Sequence, residues 1–239
     1  MSKILAEAAL ACYESGTRNL NHDWITDGIK YKTTSGTDRA RIWSAGRFMI
    51  IGFCGTKLDR IADIVADFGS MIQDGFPPKK GGRRPINVGR GFLEAYRGHL
   101  RDQVFDEILR RKPKGIYITG HSLGAALASL FFYDLLYSFP NPDWEIVKAT
   151  NFGSPRVGDE AWKNDVNRVV TEFRSHKGHR NCSFQRVHAS KDPITYIPKA
   201  IYPQFEHIGD KYLVDSSERV NPFYSHEMTH YLHHWAKIQ

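Results

Sequence analysis

Ile116-Tyr117-Ile118-Thr119-Gly120-His121-Ser122-Leu123-Gly124 is the stretch on which the fold turns. The β-branched and aromatic run Ile116 to Thr119 reads as a short strand. Ala125 to Tyr137, just beyond it, is apolar almost all round, the pattern of a buried helix. Between them lies Gly120-His121-Ser122-Leu123-Gly124, a G-x-S-x-G pentapeptide with a steric logic. A serine on a sharp strand-to-helix turn takes a strained backbone, and flanking glycines let neighbouring chain approach where a Cβ would clash. The N–H groups of the first helical turn then face any negative charge that develops beside the hydroxyl. The pentapeptide alone is a weak signal; the strand before it and the helix after it make it a strong one.

Outward from this turn the alternation continues. Phe92, Tyr96, Leu100, Val104 and Ile108 lie four apart and predict one helix ending before Pro113. Ile146 to Phe152 and Phe184 to Ala189 read as further strands, with a helical stretch around Trp162 to Val170 between them. Upstream, Arg41 to Phe53 reads as a hairpin turning at Ala45-Gly46 and feeding a buried strand, Phe48 to Phe53. Leu58, Ile61, Ile64, Val65, Phe68 and Ile72 predict an amphipathic helix. Phe76 to Val88, with Pro77-Pro78, Gly81-Gly82 and Pro85, predicts a loop, and Ala6 to Tyr13 a first helix stopped by Gly16. Strands and helices that alternate without repeats point to a single α/β domain over residues 1–239, with a mostly parallel central sheet flanked by helices.

Composition agrees with that class. The 239 residues are 41% hydrophobic and 25% charged, which excludes a disordered or collagen-like chain. Without an apolar run of about 18 residues there is no transmembrane helix. The three cysteines, Cys12, Cys54 and Cys182, are an odd set that cannot pair fully, and Met1 to Cys12 makes a poor secretory signal; both lead to the expectation of a cytoplasmic protein, with secretion by another route left open. A net charge of +7 raises the question of anionic partners, and its densest loop carries Lys79, Lys80, Arg83, Arg84 and Arg90. No aromatic residue is interleaved there to stack bases, so nucleic acid is not expected and transient contact with an anionic lipid surface is the better use for the charge.

Several motifs together resemble the class 3 lipases, the fungal-lipase-like branch of the α/β-hydrolases. Phe53-Cys54-Gly55-Thr56 is similar to that family's F-R-G-[ST] segment, and Gly91-Phe92-Leu93-Glu94-Ala95-Tyr96 to its G-F-x-x-[AS]-Y helix start. Phe152-Gly153-Ser154-Pro155-Arg156-Val157-Gly158 resembles its F-G-x-P-R-V-G turn, and Asp192-Pro193-Ile194-Thr195-Tyr196-Ile197-Pro198 its D-x-V-P-x-x-P element. The resemblance runs from about Phe48 to Tyr231 in the family's order. It implies an α/β-hydrolase fold and hydrolysis of acyl-lipid esters by a lipase, phospholipase A1 or carboxylesterase, without metal or other cofactor. The sequence departs from the pattern at Cys54, where the family has arginine, at Gly89, where many members have histidine, and at Ala125, where glycine is common.

A serine hydroxyl needs a base within hydrogen-bond reach, and the base a group that fixes its tautomer; in α/β-hydrolases these follow in the order Ser, Asp, His. Ser122 is the expected nucleophile. Asp192 sits just beyond the strand Phe184 to Ala189, at the sheet edge where the turn at Ser122 emerges, and the resemblance points to the same residue; Asp159, Asp210 and Asp215 are weaker rivals. Ser225-His226-Glu227-Met228-Thr229-His230-Tyr231 resembles the family's [DS]-H-x-x-x-Y ending, which assigns the base to His226 with His230 as main rival. His207 matches a family histidine that is not the base, and His121 is expected to pack. The oxyanion donors are the N–H of Leu123 and that of Thr56, which follows an earlier strand; Thr56 also suits a helix N-cap. By the same resemblance the helix Leu58 to Ile72 is expected to serve as a lid.

Two other readings occupy the same sequence. His226-Glu227-Met228-Thr229-His230 matches H-E-x-x-H, a zinc peptidase signature, but the residues from Tyr231 to Gln239 hold no Asp or Glu for a third ligand. The other is a basic nucleic-acid or lipid-surface binding protein on a silent hydrolase scaffold, against which the complete Ser-Asp-His set argues.

Overall fold

The computed structural model describes residues 1–16, 18–33, 35–56, 72–74, 76, 86–139, 143–175, 181–198, 202–216 and 221–238. Helix α1 (Ser2–Ala11) is followed by strands β1 (Ile25–Thr26), β2 (Tyr31–Lys32), β3 (Asp38–Ala45), β4 (Phe48–Phe53), β5 (Ile72–Asp74) and β6 (Asn87–Gly89). Then come α2 (Arg90–Tyr96), α3 (His99–Arg111), β7 (Gly115–His121), α4 (Leu123–Ser138), β8 (Ile146–Phe152), β9 (Gly158–Asp159) and α5 (Glu160–Ser175). The last part holds β10 (Asn181–Ala189), β11 (Phe205–Glu206), β12 (Asp210–Val214) and α6 (Met228–Ile238), with 3-10 turns at Pro193–Tyr196 and Pro222–His226.

Strand β7 is buried along its whole length, as its near-continuous apolar run requires of a central parallel strand. It pairs in parallel with β4 and β8; β8 pairs in parallel with β10, and β10 with β12. The hairpin partner β3 adds an antiparallel edge to β4, completing an eight-stranded mixed sheet in the order β1-β3-β4-β7-β8-β10-β12, with β2 also on β3. The register brings the strand ends level: Phe53 faces Gly120, His121 faces Phe152, and Phe152 faces Val187. The loops after β4, β7, β8 and β10 therefore leave from one sheet edge, where open parallel sheets hold their ligands.

The pleat sorts the core. Ile51, Ile116 and Ile118 join Ala126, Leu127 and Phe131 of α4 on one face, while Ile50 and Tyr117 join Leu5, Ala8 and Cys12 of α1 on the other. Helix α6 covers that second face beside α1, packing Met228, Tyr231 and Trp235 with Ala6, Ala9 and Phe152. Among the described residues no helix is long and apolar enough to cross a membrane.

Three expectations need correction. The helix predicted from Phe92 to Ile108 is two: Arg97 is extended and Gly98 has φ 72°, which turns the chain between α2 and α3 without interrupting the four-residue spacing of apolar side chains. The segment Phe76 to Val88, read as a loop, ends in strand β6, part of a small second sheet in the order β11-β9-β6-β5. Ile72, the last apolar position of the predicted lid helix, begins strand β5. The rest of that helix, and most of the basic loop Lys79 to Arg90, lie outside the described residues.

Candidate active site

Ser122 adopts φ 58°, ψ −126°, a region L residues rarely occupy and one that costs on the order of 1–3 kcal/mol. The chain around it is packed tightly enough to need the flanking glycines. A Cβ on Gly120 would lie 2.3 Å from the Gly124 carbonyl oxygen, and one on Gly124 would lie 2.1 Å from that of Phe53. The amino end of α4 thus rests directly on the end of β4. Ser122 N–H donates to Phe152 O at 3.1 Å, and its own carbonyl accepts from Ala125 N–H at 3.0 Å, opening α4.

Asp192 follows β10 after a short turn, with its N–H donating to Ala189 O at 3.2 Å. The carboxylate is fully buried and meets only donors. Oδ1 accepts Ile194 N–H at 2.9 Å, capping the 3-10 turn, while Oδ2 accepts His226 Nδ1–H at 2.7 Å and Tyr231 O–H at 2.5 Å. Burial, then the charge of Asp192, pushes the Tyr231 phenol well above its usual range, so it remains a donor; its oxygen also accepts Ala189 N–H at 3.0 Å. With Nδ1–H committed to Asp192, the lone pair of the neutral ring lies on Nε2, which is buried and has no hydrogen-bond partner among the described residues. The turn after β8 is shaped to admit this pair. Gly153 has φ 55°, and a Cβ there would sit 2.9 Å from Asp192 Oδ2 and 3.0 Å from His226 Nδ1.

His121 ties the serine turn to His226. Its Nε2 lies 2.6 Å from the His226 carbonyl, an acceptor only, so Nε2 carries the proton and Nδ1 accepts the Tyr13 hydroxyl at 2.6 Å. Burial, reinforced by His226, pushes His121 well below the ordinary histidine pKa and keeps it neutral. Tyr13, at the end of α1, also fills the space under the loop after β4: a Cβ on Gly55 would lie 2.1 Å from its hydroxyl and 2.6 Å from the His121 carbonyl. That loop carries Thr56, whose hydroxyl is buried and has no hydrogen-bond partner among the described residues. Arg39, on the neighbouring strand, donates to Gly55 O at 3.0 Å, so the loop keeps guanidinium support although Cys54 stands at the motif's arginine position.

Asp192 and His226 are thus brought together as the sequence suggested, and the Thr56 loop is placed against the serine turn. The rivals stand elsewhere. Asp159 bonds Asn87 and caps α5 through Trp162 N–H at 2.8 Å, and Asp210 opens β12 at the surface. His207 donates to Thr195 O at 2.8 Å and supports the turn after Asp192. His230 lies on α6 with its ring 4.4 Å from that of His234. The zinc signature is not in helical register: His226 ends a 3-10 turn, Glu227 is extended at ψ 136°, and α6 starts at Met228, so the two histidines do not share one helical face. Tyr13 was not singled out by sequence reasoning, and Gly153 and Tyr231 only as motif positions; the bond Tyr231 makes to Asp192 and the space Gly153 leaves for it give those motif residues a physical reason.

The family model described as Lipase (class 3) matches residues 50–202. A secreted mono- and diacylglycerol lipase 2 of Gibberella zeae is 29% identical over 184 residues, covering 69% of this chain and 43% of that protein. A phospholipase A1-II 3 of Oryza sativa subsp. japonica is 31% identical over 223 residues, covering 81% of this chain and 50% of that protein. The chain thus spans half or less of the length of these curated relatives. Among solved structures, a Rhizomucor miehei triacylglyceride lipase superposes with a TM-score of 0.66 at 21% identity, over 90% of this chain and 79% of that one. The cytoplasmic expectation is overturned by relatives named as secreted lipases. It rested on cysteine parity and on the reading of Met1 to Cys12 as a poor secretory signal; all three cysteines are buried, where a thiol is shielded and says little about compartment.

Proposed function

This chain belongs to the class 3 lipase family, and on that premise we propose that it is an extracellular serine ester hydrolase that cleaves acyl-lipid esters through an acyl-enzyme on Ser122. The observation that carries this reading is the fully buried Asp192–His226 hydrogen bond of 2.7 Å, set at the same sheet edge as a serine held at φ 58°. His226 Nε2 takes the Ser122 proton as the hydroxyl oxygen attacks the ester carbonyl. Asp192 holds the ring in the Nδ1–H tautomer and stabilises the imidazolium that forms. The N–H groups of Leu123 and Thr56 receive the oxyanion, and the Thr56 hydroxyl, without a partner among the described residues, adds a third donor. His226 then gives its proton to the leaving alcohol, and water, activated by the same nitrogen, releases the fatty acid and regenerates Ser122.

The substrates fitting this chemistry are glycerolipid esters, with mono- and diacylglycerols and the acyl esters of phospholipids as the two classes the relatives point to. The net charge of +7 suits approach to an anionic lipid surface. The test is turnover of a short-chain p-nitrophenyl ester followed by a serine-reactive phosphonate. Stoichiometric inactivation with the adduct on Ser122 is expected; activity abolished by a chelator and untouched by the phosphonate would sink the proposal.

A further inference from the structure

The cysteine at the motif's arginine position faces a second cysteine. Cys54 follows β4 and Cys12 caps α1, and both lie in the apolar cluster between that helix and the sheet, 4% and 6% exposed. Gly52 and Cys54 are two residues apart and share a face of the chain. A Cβ on Gly52 would sit 3.0 Å from Cys12 Sγ, so the missing side chain is what lets the Cys12 sulfur reach this face. Cys54 lies in the same apolar cluster, beside it. Burial holds the Cys12 thiol up, while the hydrogen bond from Cys12, and next among the favourable influences the guanidinium groups of Arg41 and Arg39, lowers that of Cys54. Arg41 fixes the other side of the pair, donating to the carbonyls of Ala11 at 2.6 Å and Gly16 at 2.7 Å, so the end of α1 cannot swing away. Cys182, on β10 in a different cluster, is no competitor.

We propose that Cys12 and Cys54 are a cross-linking site, joined as a disulfide when the chain folds in an oxidising compartment. The oxidant is a small-molecule disulfide. The Cys54 thiolate attacks one of its sulfurs and expels one thiolate; Cys12, deprotonated, attacks the mixed disulfide at Cys54 and expels the second. One protein S–S bond forms, the oxidant S–S bond breaks, and the two protons and two electrons leave on two small-molecule thiols. The two sulfurs then close to a bond of about 2.05 Å. The bond pins α1, and with it Tyr13, to the residue two before Thr56, so the loop carrying the oxyanion donor is tethered at its root.

The protein as purified is incubated with oxidised glutathione, denatured, alkylated without reductant and digested with trypsin. The expected product is Ile4–Arg18 linked to Phe48–Lys57, with Cys182 alone alkylated and the intact mass lower by two hydrogen atoms than that of the reduced protein. Closing a loop of about 40 residues should raise Tm on the order of 10 °C over the reduced form. Cys12→Ser should abolish that difference and Cys182→Ser should keep it. Three alkylated cysteines, or a cross-link that includes Cys182, would overturn the proposal. Peptide mapping needs neither catalysis nor a folded variant, so its result is independent of the ester hydrolase reading.

Discussion

Tyr13 Oη lies 2.6 Å from His121 Nδ1, and the direction of that bond is fixed because the other nitrogen of His121 must donate to the His226 carbonyl. A tyrosine at the end of the first helix therefore sets the backbone position of the base more than 200 residues later. Tyr13→Phe removes the hydroxyl that donates to this buried nitrogen, a loss of about 1–3 kcal/mol. We expect Tm to fall by a few degrees and kcat on the order of tenfold, with KM little changed. Thermal melts and steady-state kinetics on a soluble ester check both.

Ser122 offers a test in which stability and activity move oppositely. Glycine accepts φ 58° without the penalty an L residue carries, so Ser122→Gly should gain about 1 kcal/mol, or 2–4 °C in Tm. Its turnover should fall by about 10³ or more. A melt showing no gain would mean the turn is not strained in solution.

Asp192→Asn keeps the volume and presents an amide where Oδ2 now accepts from both His226 and Tyr231. The ring then loses the partner that selects Nδ1–H. A fall in kcat of about 10⁴ is expected, with the far-UV circular dichroism spectrum unchanged. Measurement of the rate against pH would show whether the remaining activity needs an unusually high pH, as a base in the wrong tautomer should.

The turn behind Asp192 makes the fold acid-sensitive. Burial is the main reason that His188 is pushed down to about 4 and His207 to about 3, from an ordinary value of 6.5. A histidine held neutral in the fold binds fewer protons than in the unfolded chain, so stability rises with pH between the two values. The contribution is complete above pH 6.5 and is lost as pH drops toward 4 and then 3. Tm should decline across that window, and His207→Gln, which retains a donor for Thr195 O, should flatten the lower part of the decline.

What could be read in advance followed from how strongly each element declares itself. The strand leading to Ser122 is buried on both sides and α4 all round, so both show as unbroken apolar runs with glycines at the joint. Strand β12 was missed because only Val214 of its five residues is buried, and an edge strand with four exposed residues has no alternation to find. The break at Gly98 was missed because apolar side chains keep step across it. At the site, Ser122, Asp192 and His226 were legible through motifs, whereas Tyr13 and Gly153 act through contacts with residues distant in sequence, on which local pattern is silent.

Helices α1 and α6 lie against each other on one face of the sheet, with the serine turn between the residues they deliver. Ribosomal synthesis meets these parts in order: Tyr13 and Ser122 emerge well before His226 and Tyr231. A nascent chain already holding the nucleophile and its strained turn would have no base, and Asp192 would lack two of its three donors. Docking of α6 is then a long-range closure, the kind that slows folding, and on the proposed mechanism the step that brings His226 to Ser122. If the proposed mechanism holds, chains made only as far as Ser122 should be inert toward acyl esters, a safeguard that arises from the order of these residues in the polypeptide.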